Sequence, residues 1–172
     1  MSVSGVLVVL RGNAGSGKST VARLVQQRLP AGRCLVVSQD HLRRDMLREP
    51  DVLGANNAEL LKTIAEWGLA RGLLVVVEGI LDVRRYQHTL ERLRERSWAS
   101  HFFAWDLSLE ETIRRHGQRP KAAEFGEHKL RDWYHGWQPL AFAQEVRIDK
   151  SVSAEAAAAL VLNRVNDSSG HG

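Results

Sequence analysis

Short, nearly continuous apolar runs alternate along this chain with stretches whose apolar residues recur every three or four positions. A run such as Leu73-Leu74-Val75-Val76-Val77 suits a strand buried on both faces, and its alternation with helical patterns predicts βαβ units and a parallel sheet. Strands are expected over 6–11, 33–38, 72–78, 101–107 and 145–149, and helices over 18–29, 40–48, 57–71, 83–96, 108–117, 127–138 and 153–166. Local signals agree with these bounds. Pro30-Ala31-Gly32 closes the first helix, Asp51-Val52-Leu53-Gly54 is turn-like, Ser108 with Glu111 three residues on forms a capping box, and Ser153 precedes an Ala-rich helix. Residues 1–166 therefore read as one α/β domain, and 167–172 as a flexible tail.

The junction between the first strand and the first helix carries the strongest chemical signal. Gly12-Asn13-Ala14-Gly15-Ser16-Gly17-Lys18-Ser19-Thr20 has the G-x-x-x-x-G-K-[ST] spacing of a phosphate-binding loop, in the strand-then-helix context that the motif requires. Gly12, Gly15 and Gly17 allow successive backbone N–H groups to turn inward around phosphate oxygens at a helix N-terminus. Lys18 would reach the β- and γ-phosphates as a point charge, and the Ser19 hydroxyl would ligate Mg²⁺. The expected ligand is ATP or GTP with Mg²⁺.

Ligands of an open parallel sheet lie beyond the carboxyl ends of its strands, so those ends locate the rest of the site. After the second strand come Ser38-Gln39-Asp40-His41, then Arg43 and Arg44. A carboxylate there, beside the phosphate loop, can take the proton of a hydroxyl attacking the γ-phosphate; Asp40 can equally cap the following helix, and the two roles are compatible. Arg43 and Arg44 are candidates for holding the substrate. The third strand ends in Glu78, which resembles the acidic end of a Walker B strand and is expected either to hold Mg²⁺ through water, as Asp40 also could, or to bond the substrate. Asp106, after the fourth strand, is read as structural.

Further on, Ile113 to Pro120 concentrates positive charge after a helix and then breaks the helix with Gly117 and Pro120. Phosphoryl transfer spreads negative charge over the equatorial oxygens of the moving group, and an arginine delivered by a lid neutralises it. Arg115 and Arg119 are the candidates, in a small helical lid over about 115–138. Cations at a helix C-terminus already account for Arg115, so Arg119, beyond the glycine, carries the stronger expectation. Trp133 and Tyr134 could stack on a flat or apolar part of the acceptor.

Composition bounds these readings. A chain of 172 residues, 44% hydrophobic and 26% charged, is an ordinary globular protein with room for one core. The formal charge of +4 comes mostly from arginines dispersed among carboxylates, as in 84–96, so a basic nucleic-acid face is not indicated, although nucleic acid remains a conceivable partner. Cys34 has no second cysteine to pair with and belongs to an apolar run. No basic leader and no apolar run of about 20 residues is visible, so the expectation is a cytoplasmic protein away from membranes, as monomer or homodimer.

Taken together, Gly12 to Thr20, Ser38 to Arg44, Val75 to Gly79 and the Arg-rich segment resemble the compact P-loop kinases of small molecules and nucleic-acid ends. That group includes gluconate and adenylylsulfate kinases, chloramphenicol phosphotransferase, zeta toxins and polynucleotide kinases. The resemblance implies a three-layer fold with a five-stranded parallel sheet in the order 2-3-1-4-5. It implies that Asp40 is the general base, that Lys18 and Ser19 handle phosphates and Mg²⁺, and that Arg119 or Arg115 is the lid arginine. The run Arg147-Ile148-Asp149-Lys150-Ser151 looks like the group's strand-Asp-Thr-Ser element near the adenine, with Lys150 where threonine is usual. The function it implies is phosphate transfer from ATP to a hydroxyl of a nucleoside, sugar derivative or antibiotic. A polynucleotide 5′-kinase, or an ATP-binding regulator with slow hydrolysis, are the alternatives.

Overall fold

The structure is a computed structural model that describes residues 4–118 and 126–169. Five parallel strands form one sheet: β1 (Val6–Gly12), β2 (Cys34–Ser38), β3 (Leu74–Gly79), β4 (Ala99–Trp105) and β5 (Glu145–Ile148), ordered β2-β3-β1-β4-β5 as expected. β1 lies at the centre, with Val9 opposite Val77 of β3 and Phe102 of β4. Its side chains alternate between two apolar layers, which is why it reads as an unbroken hydrophobic run. Leu7 and Val9 pack with Leu61, Leu69, Leu90 and Leu93 of the helices α3 (Asn56–Leu69) and α4 (Val83–Arg96). Val8 and Leu10 pack on the other face with Val21, Val25, Ala158 and Val161 of α1 (Lys18–Gln27) and α7 (Ala154–Ser169). Helices thus cover both faces of the sheet.

Between them, α2 (Gln39–His41) continues into a π-helical turn, Leu42–Leu47, that ends at Arg48 in the left-handed region. α5 (Leu109–Gly117) starts at Ser108, whose hydroxyl accepts the Glu111 N–H at 3.2 Å, as the capping signal foretold. α6 is Glu127–Trp133.

Three sequence expectations are corrected. The helix expected to reach 138 stops at Trp133, because the backbone of the next segment bonds outward to other elements and Gly136 and Pro139 disfavour a helix. β4 begins and ends two residues earlier than its apolar content suggests, because its span is set by pairing with β1, Val6 opposite Ala99. The last helix continues to Ser169, where it was expected to end at Asn166 and give way to a tail.

Buried ionic contacts fix how these elements meet. Arg11, one residue before the end of β1, pairs with Glu145 at the start of β5 at 2.8 Å, with side-chain exposures of only 3% and 1%. The same guanidinium donates to the carbonyls of Gln138 at 2.6 Å and Leu81 at 3.3 Å. One arginine therefore holds together the central strand, the edge strand, the segment after α6 and the turn after β3.

Asp82 caps α4, accepting the Arg84 N–H at 2.9 Å and the Arg84 guanidinium at 3.0–3.1 Å. The Arg84 hydrogen bonds hold its carboxyl down, to about 2 from an ordinary 3.8. The folded state is therefore stabilised by this carboxylate above pH 3.8, and loses that contribution as pH falls through about 2. Asp82→Asn is expected to flatten the acid limb of stability across that interval in urea titrations; an unchanged limb would assign the acid sensitivity elsewhere.

Candidate active site

The carboxyl ends of β1, β2 and β3 open onto one cleft of about 610 Å³. Its nucleotide side is the loop between β1 and α1. Gly12 has φ 147°, and a Cβ there would lie 2.9 Å from Trp105 of β4, so no other residue fits. Gly17, at φ 109°, stands at the N-cap of α1 with no side chain capping the helix and no acidic residue in its first turn. The first N–H groups and the positive end of the helix dipole are thereby left for an anion. Lys18 is buried, and its ammonium donates to the Asn13 carbonyl at 2.7 Å and the Ser16 hydroxyl at 3.0 Å, arching over the loop. Ala14, Gly15, Lys18 and Ser19 line the cleft. Gly12 and Asn13 instead border a water-sized space of about 20 Å³ behind it, and Thr20 is exposed on α1.

Asp40 faces this loop across the cleft. Ser38, not Asp40, is the N-cap of α2: its hydroxyl accepts the His41 N–H at 3.5 Å, which leaves the Asp40 carboxylate for the cleft. There it sits between two guanidiniums, with Arg43 Nη2 at 3.2 Å and Arg44 Nε at 2.7 Å from the same oxygen. Arg44 also lies 5.6 Å from the centroid of Trp133, which it covers. Glu78, 4% exposed at the end of β3, forms the floor, and Trp133 and Tyr134 form part of the opposite wall. Tyr134 anchors its hydroxyl on the Leu107 carbonyl at 3.0 Å.

The expected site residues are thus largely gathered, with two exceptions. Arg119 lies outside the described residues. Arg115 does not line the cleft: its guanidinium donates to Glu111 at 2.7 Å, to the Ser16 carbonyl at 3.1 Å and to the Lys150 carbonyl at 3.1 Å. It ties the phosphate loop to the turn after β5. Among the described residues no group of three or more His, Cys, Asp or Glu would hold a metal by itself. A divalent ion here would therefore rely on the phosphates, on water and on Ser19 beside the open helix N-terminus, which suits Mg²⁺.

Several site residues escaped the sequence reading. Asp51 and Arg85 form an ion pair at 3.1 Å in the cleft wall, and the buried Tyr86 hydroxyl donates to Asp51 at 3.0 Å. Burial, and then the neighbouring Asp51, push the Tyr86 phenol well above its ordinary value, so it stays a donor. His116 lines the cleft against Gly15, whose Cβ position would lie 3.4 Å from its own. Asn13 is the least foreseeable. Its amide donates to the His135 carbonyl at 2.6 Å and accepts the His135 N–H at 2.9 Å, clamping the segment after α6 to the phosphate loop. No sequence signal marks an amide that mimics a neighbouring strand. Asn13→Ala removes both bonds and is expected to speed hydrogen exchange at the His135 amide by about tenfold or more. Unchanged exchange there would mean that the clamp does not hold the segment.

An open sheet in this order, a phosphate loop after its central strand and an acidic strand end beside that loop together define a P-loop NTPase fold of the kinase type. A family model described as an AAA domain matches residues 7–140, and the chain belongs to that family. Solved structures agree on the fold. The APS kinase of Mycobacterium tuberculosis, solved with AMPPNP and APS, is 23% identical with a TM-score of 0.72 over 95% of this chain and 99% of that one. A gluconokinase from Sinorhizobium meliloti 1021 is 20% identical, with a TM-score of 0.63 over 97% of both chains. The tunicamycin resistance protein of Deinococcus radiodurans is 18% identical, with a TM-score of 0.65 over 94% and 95%. No curated protein sequence matches. No helix among the described residues is long and apolar enough to cross a membrane.

Proposed function

We propose that this protein transfers the γ-phosphate of ATP to a hydroxyl of a small molecule. The observation that carries the reading is the placement of Asp40 across one cleft from Lys18 and Ser19. A motor or switch also needs the phosphate loop; a carboxylate facing it from the next strand end is what an attacking hydroxyl requires. The backbone N–H groups between Ala14 and Ser19 and the Lys18 ammonium would hold the phosphates. Mg²⁺, held by Ser19 and through water by Asp40 or Glu78, would offset their charge when bound. Asp40 would receive the hydroxyl proton as the oxygen bonds to the γ-phosphorus and the bond to the β-phosphate oxygen breaks, releasing ADP. Arg119, the arginine that the family resemblance implies for this step, would neutralise the moving phosphoryl group, with Arg43, Arg44, Trp133 and Tyr134 positioning the acceptor. The likeness to an APS kinase solved with AMPPNP supports a nucleoside triphosphate in this cleft.

ADP release is the test: with ATP·Mg²⁺ or GTP·Mg²⁺, a panel of small hydroxyl compounds should contain members that accelerate it well above the rate in water. Equal rates with every member, together with acceleration by a protein partner, would favour the regulator instead.

A further inference from the structure

The carboxylates of the cleft are held in different ways. Asp40 lies against Arg43 and Arg44, Asp82 takes the N–H and side chain of Arg84, and Asp51 takes Arg85 and the Tyr86 hydroxyl. Glu78 differs. It is 4% exposed and lines the cleft, its backbone is paired in the sheet, and its carboxylate has no hydrogen bond or ion pair with any described residue. Burying a polar group without a partner is unfavourable, and such groups in native structures are normally matched by a ligand, an ion or water. A carboxylate offers only acceptor oxygens, so its match must bring hydrogen-bond donors.

The cations opposite carry the complementary message. Arg43 also donates to the Glu49 carbonyl at 3.2 Å, and Arg85 to the Asp51 carbonyl, so these guanidiniums are engaged twice within the protein. A phosphate on the acceptor would compete with the carboxylates that already hold these guanidiniums and would meet Glu78 with like charge, beside the triphosphate proposed for the nucleotide side.

We propose that the acceptor is rich in hydrogen-bond donors and carries no anionic group, a polyol, nucleoside or amino alcohol, and that Glu78 is the residue that receives its hydroxyl or ammonium hydrogens. Asp40 then takes the one hydroxyl that reacts. This rests on the kinase reading, and excludes polynucleotide ends and phosphate monoesters as acceptors.

The test uses the full-length protein loaded with AMPPNP·Mg²⁺ and a panel of hexoses, aminohexoses and nucleosides, each beside its phosphate monoester. Binding is read from the thermal midpoint and transfer from γ-labelled ATP. At least one parent compound should stabilise the loaded protein, and its monoester should not. Glu78→Gln should weaken that parent by about tenfold or more while the affinity for AMPPNP·Mg²⁺ is retained. Stabilisation by the monoesters alone, or by no parent, overturns the proposal, as does a Glu78→Gln defect confined to AMPPNP·Mg²⁺, which would assign the residue to the metal. Parents that bind with the Glu78 dependence but receive no phosphate leave the proposal standing and overturn the kinase reading instead.

Discussion

Asp40→Asn is expected to lower kcat for phosphate transfer by roughly 10²–10⁴-fold, the usual contribution of a positioned general base. Affinity for the nucleotide should change far less, because the phosphates are held by the loop, and Asp40 faces them from the end of β2. The asparagine keeps the size and one acceptor oxygen, so the protein folds, but the amide cannot take the proton. It also withdraws the charge against which Arg43 and Arg44 rest, at 3.2 and 2.7 Å, so some loss of acceptor affinity should accompany the loss of turnover. A pre-steady-state measurement separates the two effects. Full turnover by the variant at saturating acceptor would remove Asp40 from the chemistry.

The largest stability effect is expected far from the phosphates. Glu145→Ala leaves Arg11 charged in a place where its side chain is 3% exposed, and also deprives the Leu140 N–H of its acceptor at 3.1 Å. Breaking a buried ion pair from one side costs about 3–5 kcal/mol. For a chain of this size, that is a fall in Tm of roughly 10 °C. Because Arg11 also holds the Gln138 carbonyl, and the Gln138 side chain accepts the Val83 N–H at 3.3 Å, the loss should loosen the wall that carries Trp133 and Tyr134 as well as the edge strand. Replacing both partners with apolar residues, Arg11→Met with Glu145→Leu, should recover much of the loss, since the cost lies in the uncompensated charge. A single-variant loss below about 1 kcal/mol in urea melts would show that the remaining carbonyl contacts satisfy Arg11.

These two residues also mark what a sequence can and cannot disclose. The strands were legible because both faces of the sheet are buried, and β1 and β3 have little but aliphatic side chains to place there. Asp40 and Glu78 were legible because ligands of this fold collect at strand ends, so a carboxylate in that position stands out without any knowledge of its neighbours. Long-range pairing leaves no comparable trace. The Arg11–Glu145 contact joins residues 134 positions apart, and the Asn13–His135 clamp joins residues 122 apart. The segment after α6 illustrates the consequence: its aromatic residues have acceptable helical spacing, yet their backbone is drawn into bonds with the phosphate loop and β1. Arg115 shows the same limit at closer range. Its charge and position are those of a lid arginine, and only the three-way bonding to Glu111, Ser16 and Lys150 reveals a strut.

In the proposed reaction the phosphate loop and Asp40 form the two halves of one transfer site. A single-turnover reaction with γ-labelled ATP, Mg²⁺ and an acceptor that accelerates ADP release tests it most directly. The label is expected to leave ATP as a phosphate monoester of that alcohol, in step with ADP, and Asp40→Asn is expected to slow the ester and the ADP together. Label recovered only as inorganic phosphate, at the same rate with and without the alcohol, would contradict it.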